Sequence, residues 1–180
     1  VGCKLAGAQS DEISLLLVDY EKLETQAWFD NNLQKMVSVA ASMATMAFNK
    51  FFTNNVKNEI MEYKASLVPQ SVELQEKIKK YHDTLKQALE KGAMFDARAF
   101  ILPKEAVNNY FIFRQQDATR NSIQMVAQSN FSQKDLQGKN CNVIQDMLHE
   151  QKGINWNDYP TVYKRGSCII KVYDVIIQYD

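Results

Sequence analysis

The chain has 180 residues, of which 46% are apolar, so one globular domain with a hydrophobic core is the first expectation. Lysine and arginine together number 21 and balance 21 aspartates and glutamates, so the net charge is zero. This balance argues against a dedicated nucleic-acid binder, which usually carries a basic excess, but it leaves local basic patches open. No apolar run approaches the ~20 residues of a membrane span and no signal peptide is visible, so no membrane partner is expected.

The three cysteines, Cys3, Cys141 and Cys168, are widely separated and form no C-x-x-C pair. His82 and His149 are also remote from them, so the sequence contains neither a zinc motif nor a redox motif. We therefore expect reduced, buried or half-buried thiols in a cytoplasmic protein.

The N-terminal region is predicted to form two short strands within residues 1–18. The polar stretch Gln9-Ser10-Asp11-Glu12 lies between them and has the composition of a tight turn. The run from Ile13 to Val18 is apolar apart from Ser14, which predicts a strand that is buried on both faces.

Two helices are predicted next. Apolar residues recur at intervals of three and four, which indicates a helix over residues 26–52. The stretch 53–92 is the most polar part of the chain, and within it Ser71 is a candidate N-cap of an amphipathic helix that ends at Gly92. The polar face of that helix fits either a solvated surface or a surface near RNA, and its lysines are Lys77, Lys79, Lys80 and Lys86.

The second half of the chain begins with a predicted strand at residues 95–102, where polar and apolar residues alternate. Pro103 then favours the first position of a helix that runs to about Ser129. The remaining predicted elements are a connector (131–138), a helix (about 142–151), an irregular stretch (154–166) and a closing strand (167–179). Strands and helices do not alternate regularly, so the sequence predicts an α+β fold, with an antiparallel sheet covered by helices.

Three segments hold the candidate site residues. The acidic turn at Asp11 and Glu12 offers the oxygen ligands that Mg²⁺ prefers, and two such ions ~4 Å apart can steady a phosphoryl group during transfer. Solvated acidic turns are also common. The helix after Pro103 carries a polar stripe that suits either phosphate and sugar binding or a plain exposed face: Arg114, Asp117, Asn121, Gln124 and Gln128. In the third segment, Lys164-Arg165 lies near aromatic residues, as phosphate binding and base stacking require, although such clusters also occur without function.

Six motifs along the chain resemble the tRNA-histidine guanylyltransferase family and its bacterial, archaeal and phage relatives. They occur in the family's order and extend over almost the whole chain, so together they are specific even though each alone is weak. The motifs are Gln9-Ser10-Asp11-Glu12-Ile13-Ser14, Phe95-Asp96-Ala97-Arg98, Tyr110-Phe111 with Arg114-Gln115-Gln116-Asp117, Leu136-Gln137-Gly138, Gly153-Ile154-Asn155-Trp156-Asn157, and Pro160 with Lys164-Arg165-Gly166.

The resemblance implies an Mg²⁺-dependent nucleotidyltransferase that adds nucleotides to the 5′ end of tRNA, opposite in direction to ordinary polymerases. It implies a domain similar to a polymerase palm, with ATP and GTP as substrates, tRNA as partner and a homotetrameric state. Residues 1–180 would form one catalytic domain, with 137–180 as the C-terminal part of the same unit. An alternative is a catalytically dead fragment that binds tRNA or oligomerises. A palm-type cyclase is disfavoured by the segment from Gly153 to Gly166, which is particular to the tRNA enzymes.

By the same resemblance, Asp11 matches a metal-binding aspartate of the family, and Glu12 beside it is expected to share in catalysis. Nucleotide-binding positions match Ser10, Arg98 and Asn155. The residues expected to contact RNA are Arg114, Asn121, Lys164 and Arg165. Asp117, in the motif that begins at Arg114, is expected to hold the polar stripe together.

The sequence departs from the family in two ways. The family's other metal aspartate lies upstream of the match, and residues 1–8 carry no carboxylate, so we expect half a metal site and no activity from this chain alone. Asp19 and Asp96 are conceivable surrogates, although neither matches the motif. Thr119 stands where eukaryotic members carry a histidine tied to the choice of histidine tRNA. Repair of truncated tRNA 5′ ends is therefore expected at least as much as guanylylation of histidine tRNA.

Overall fold

The computed structural model of the chain describes residues 2–65, 71–172 and 175–179. The described residues divide into two compact units, one comprising Val1–Trp28 and Ile101–Asp180 and the other comprising Phe29–Phe100. The helices are α1 (Leu33–Ala65), α2 (Val72–Lys91), α3 (Val107–Gln128), α4 (Gln133–Leu136), α5 (Cys141–Lys152) and α6 (Thr161–Arg165). The strands are β1 (Cys3–Gln9), β2 (Glu12–Leu17), β3 (Ser167–Val172) and β4 (Val175–Tyr179). The predicted α+β class is confirmed, while the single domain stays a prediction.

The first unit contains an antiparallel sheet of four strands in the order β2-β1-β3-β4. β1 and β2 form the predicted pair, with Gln9 opposite Glu12 across the turn. β3 also pairs with β1, and Ser167 lies opposite Ala8. The closing strand predicted at residues 167–179 is instead a pair of strands, because β3 and β4 fold back on each other.

The prediction that the strand after the turn is buried on both faces is wrong for the described residues. Ile13 and Leu15 are 50% and 53% exposed, whereas Ser14 between them is half-buried. β2 is the outer strand of the sheet, and an antiparallel strand in that position commonly has one covered face and one open face. An apolar run alone does not reveal which neighbours will flank a strand.

The core of the first unit lies between α3, α5 and a short 3-10 turn at Trp156–Asp158. Its buried residues are Ile123, Ala127, Ile144, Leu148 and Trp156. The predicted helix at residues 142–151 is confirmed as α5, and it ends at Gly153, whose φ of 66° is easily adopted by glycine. α3 follows a single 3-10 turn at Lys104–Ala106, which begins directly after Pro103.

The second unit is built from α1 and α2, which contact each other through Tyr63 and the buried His82, whose rings meet edge-on at 5.0 Å. The predicted ends of α2 are confirmed. The Ser71 side chain accepts a hydrogen bond from the Leu74 amide, and Gly92 ends the helix with a φ of 64°. None of the helices in the described ranges combines the length and apolar character that a membrane crossing needs.

α1 begins and ends later than the predicted helix at residues 26–52. Phe29, Asp30 and Asn31 have φ values of 52°, 50° and 58°, which a right-handed helix cannot contain. The helix starts only after Asn32, whose side chain accepts a hydrogen bond from the Lys35 amide at 3.0 Å, as N-cap residues do. It then continues through the polar residues up to Ala65.

The strand predicted at residues 95–102 is absent: this described segment has no regular secondary structure. Its first residue, Phe95, and Ala93 just before it are held by side chains of α1 instead of by a neighbouring strand. The Asn49 amide group both donates to the Ala93 carbonyl and accepts from the Ala93 amide, each at 2.8 Å. The Thr45 hydroxyl accepts from the Phe95 amide at 3.0 Å. These polar partners satisfy backbone groups that a strand would have paired within a sheet.

Candidate functional site

The predicted acidic turn is the two-residue loop Ser10-Asp11 between β1 and β2. Ser10 has a φ of 51°, in the left-handed region that most residues avoid. Asp11 is exposed, and its carboxylate has no ion pair or hydrogen bond within the described part of the chain. Asp11 is therefore available for an external cation.

Glu12, the next residue, is already engaged inside the protein. Its carboxylate forms an ion pair with Arg114 on α3, whose guanidinium also reaches the Asp117 carboxylate at 3.4 Å. Asn121 in turn donates to Asp117 at 3.5 Å. The first three residues of the predicted polar stripe thus connect α3 to the acidic turn.

Two further contacts fix α3 against the β1–β2 pair. The hydroxyls of Ser14 and Tyr110 are hydrogen-bonded at 3.0 Å. Gly7, which lies opposite Ser14 in the sheet, has so little space that a Cβ there would come within 3.3 Å of the Phe111 ring. Small residues at these two sheet positions let the helix lie close to the strands.

The third predicted segment also reaches the turn. Gly166 follows α6 and packs against the end of β1, so closely that a Cβ on it would lie 2.2 Å from the Ala8 carbonyl oxygen and 2.8 Å from the Gln9 Cβ. The Lys164-Arg165-Gly166 motif is therefore adjacent to the strand end that precedes Ser10. The Gln9 side-chain nitrogen is buried there without a hydrogen-bond partner in the described residues.

Asn155 and Lys164 make local contacts. The Asn155 side chain accepts from the Asn157 amide at 3.1 Å and donates to Asp158 at 3.2 Å, which shapes the 3-10 turn. The Lys164 ammonium donates to the Asn157 carbonyl at 2.7 Å and lies 5.3 Å from the centre of the Trp156 ring. Arg165 is exposed, and its side chain makes no ion pair or hydrogen bond within the described ranges.

Ser122 on α3 connects this segment to the helix, and the sequence analysis missed it. Its hydroxyl accepts from the Trp156 indole N–H at 3.1 Å and lies within hydrogen-bond distance of two carbonyls, those of Thr119 at 2.8 Å and Lys164 at 3.3 Å. The signal was its position beside the buried Ala118 and Ile123, because a hydroxyl on a buried helix face needs a partner.

Replacing Ser122 with alanine should destabilise the chain by about 1–3 kcal/mol, because the indole N–H of the buried Trp156 would lose its acceptor. Denaturant unfolding followed by circular dichroism measures the change. The matched control is Ser129→Ala, since among the described residues the exposed Ser129 hydroxyl bonds only the Met125 carbonyl of the helix it follows. That control should change the free energy of unfolding by less than about 0.5 kcal/mol. Equal effects of the two substitutions would contradict this role.

Arg98, a predicted nucleotide-binding residue, belongs to the other unit. It pairs with Asp96 at 3.2 Å, and both side chains are largely exposed. Asp96, which with Asp19 is one of the two conceivable surrogates for a second metal ligand, is therefore already paired.

No three histidine, cysteine, aspartate or glutamate side chains in the described ranges come together as a metal-binding group. Asp11 fits one ligand position, since Mg²⁺ is usually held by one or two carboxylates together with waters and substrate phosphates. The described residues do not provide a complete two-metal site. The three cysteines are free and half-buried, as predicted, and burial raises the pKa of the Cys3 thiol.

Comparison with known proteins agrees with these motifs. The profile of a family described as Thg1, tRNAHis guanylyltransferase, matches residues 2–103. A solved bacterial tRNA(His) guanylyltransferase (Thg1)-like protein in complex with ATP is 47% identical, with a TM-score of 0.71 over 99% of this chain. A second, in complex with GTP, is 40% identical, with a TM-score of 0.60 over 98% of this chain. A tRNA(His) guanylyltransferase from Debaryomyces hansenii is 26% identical over 97 residues, which is 48% of this chain.

The chain spans only part of each of these relatives. It covers 64% and 60% of the two solved chains and 37% of the Debaryomyces protein.

Proposed function

Because the chain belongs to the tRNA(His) guanylyltransferase family, we propose that it forms part of an Mg²⁺-dependent nucleotidyltransferase. This enzyme adds nucleotides to the 5′ end of tRNA. The substrates are ATP and GTP together with a tRNA, either histidine tRNA or a tRNA with a truncated 5′ end. As the family resemblance implies, the working form is a cytoplasmic homotetramer.

The observation that carries the proposal is the free Asp11 carboxylate beside segments of the family's other motifs. Asp11 lies in the turn between β1 and β2, and Gly166 of the Lys164-Arg165-Gly166 motif packs against the strand that enters that turn. An exposed carboxylate without an internal partner can take one ligand position on Mg²⁺. Bound Mg²⁺ would supply charge neutralisation of the triphosphate.

The remaining predicted residues differ in how free they are to bind a ligand. Ser10, Arg98 and Asn155 are exposed, and we assign them to nucleotide binding. Arg165 is exposed as well and suits a phosphate of the RNA. Lys164 already donates to a backbone carbonyl, so its contribution to RNA binding would be through its charge. Asn121 is half-buried, and its side-chain amide already donates to Asp117.

The test is addition of nucleotides by the complete gene product that contains these residues. A tRNA lacking its first 5′ nucleotide, labelled at its 3′ end, is incubated with ATP, GTP and Mg²⁺ and separated on a denaturing gel. We expect products lengthened at the 5′ end and no products when Mg²⁺ is chelated. The same assay with intact histidine tRNA distinguishes guanylylation from repair.

An absence of lengthened tRNA under all these conditions would overturn the enzymatic proposal. If the protein still bound tRNA, the result would support the alternative, which is a catalytically dead fragment that binds tRNA.

A further inference from the structure

We propose that Arg114 is a positioning residue, which holds the β1–β2 turn in place through Glu12 and thereby sets the location of Asp11. This role replaces the RNA contact that the sequence predicts for Arg114. The inference rests on the proposed function, since it concerns the residue that would hold the metal in that reaction.

The charge around Arg114 is the first argument. Its side chain is only 15% exposed, and its single positive charge faces two carboxylates, those of Glu12 and Asp117. A phosphate would have to displace at least one of these carboxylates from a largely buried guanidinium. Phosphate contacts in nucleic-acid binders usually come from cations that are free to reach the backbone. Arg114 lacks that freedom.

The second argument is that Arg114 is itself oriented. Asp117 accepts from Asn121 as well as from Arg114, so the three side chains form a row along one face of α3. Such connected polar groups reduce the number of conformations available to each member. Glu12, which pairs with the Arg114 end of this row, belongs to the sheet.

The third argument concerns Asp11. It directly precedes Glu12, and the loop that contains it is attached to an outer strand. The ion pair with Arg114 links the first residue of that strand to α3, and the Ser14–Tyr110 hydrogen bond links the strand to α3 two residues farther on. A displacement of about 1 Å at a reacting group can lower a rate by roughly 10²-fold. Holding Glu12 therefore has a direct effect on where the Asp11 carboxylate lies.

The test compares Arg114→Ala, Arg114→Lys and Glu12→Gln with the unaltered protein. We expect Arg114→Ala to lower kcat by roughly 10–100-fold, as loss of a residue that supports a metal ligand does, with the Kd for tRNA changed less than about threefold. Glu12→Gln should lower kcat similarly, and the double variant should be no worse than either single one, because both remove the same interaction. Arg114→Lys should restore part of kcat. Arg120→Ala, which removes an exposed arginine from the same helix, serves as the control and should leave kcat unchanged.

A second readout does not depend on activity. Amide hydrogen exchange at residues 10–12 should be roughly tenfold faster in Arg114→Ala, whereas exchange in the middle of α3 should be unchanged. Unchanged exchange at the turn would overturn the positioning role even if the protein proved inactive. A weaker tRNA Kd in Arg114→Ala, with a salt dependence reduced by about one phosphate contact and kcat intact, would overturn it in favour of direct RNA binding. An inactive unaltered protein with faster turn exchange in Arg114→Ala would contradict only the proposed function.

Discussion

Replacing Asp11 with alanine should reduce nucleotide addition by a factor on the order of 10³, because the site would lose a group that stabilises charge during phosphoryl transfer. The fold should be unaffected. Asp11 is exposed and makes no contact within the described residues that would be lost, so its removal should change the free energy of unfolding by less than about 0.5 kcal/mol. The measurements are the rate of addition to a truncated tRNA and the midpoint of denaturant unfolding.

Two companion variants make this result specific. Asp11→Asn keeps the size of the side chain and removes its charge, and it should lose nearly as much activity as alanine. Asp146→Ala removes an exposed aspartate from α5 and should retain the full rate. A wild-type rate in Asp11→Ala would exclude Asp11 from the mechanism.

Replacing Gly166 with alanine should destabilise the first unit by roughly 2–5 kcal/mol, through backbone strain and overpacking together. Gly166 has φ 76° and ψ −168°, a conformation that is essentially restricted to glycine. The added Cβ would also lie 2.2 Å from the Ala8 carbonyl oxygen, so either β1 or β3 must shift. We therefore expect loss of nucleotide addition together with a lower unfolding midpoint.

Gly138→Ala separates the two causes. Gly138 has a comparable φ of 74°, but a Cβ there would meet nothing within 4 Å. Its replacement should cost only about 1 kcal/mol, from the backbone alone. If both substitutions destabilised the chain equally, the close contact between Gly166 and β1 would have no energetic role.

The sequence predicted those turns and helix ends that depend on residues within a few positions of each other. The hairpin turn, the Ser71 cap, and the helix ends at Gly92 and Gly153 were all confirmed, because each depends on a residue's own conformational preference. The strand at residues 95–102 was not found. Instead, Thr45 bonds the backbone of Phe95 and Asn49 bonds that of Ala93 just before it, across 50 and 44 residues of the chain, and no local pattern reports such contacts.

For the candidate site, too, the sequence predicted individual residues but not the contacts between distant segments. Motif spacing identified Asp11, Glu12 and Arg114 as residues of interest, but the partners of each depend on how α3 lies against the sheet. In the sequence, Arg114 has the charge and the position expected of an RNA contact. In the structure, two carboxylates neutralise its positive charge. Ser122 went unnoticed because its position beside Ala118 and Ile123 on the helix does not identify its partner, which is Trp156, 34 residues farther along the chain.

The surroundings of Trp156 also make this residue an intrinsic fluorescent probe. The chain has two tryptophans, so Trp28→Phe would leave Trp156 as the only indole emitter. Its ring is buried, its N–H is bonded to Ser122, and the Lys164 ammonium lies over its face. The emission of an indole depends on the polarity of its surroundings and on nearby charge. An anion that draws Lys164 away would therefore alter the fluorescence of Trp156. Binding at this segment can therefore be followed without labelling either the protein or the RNA.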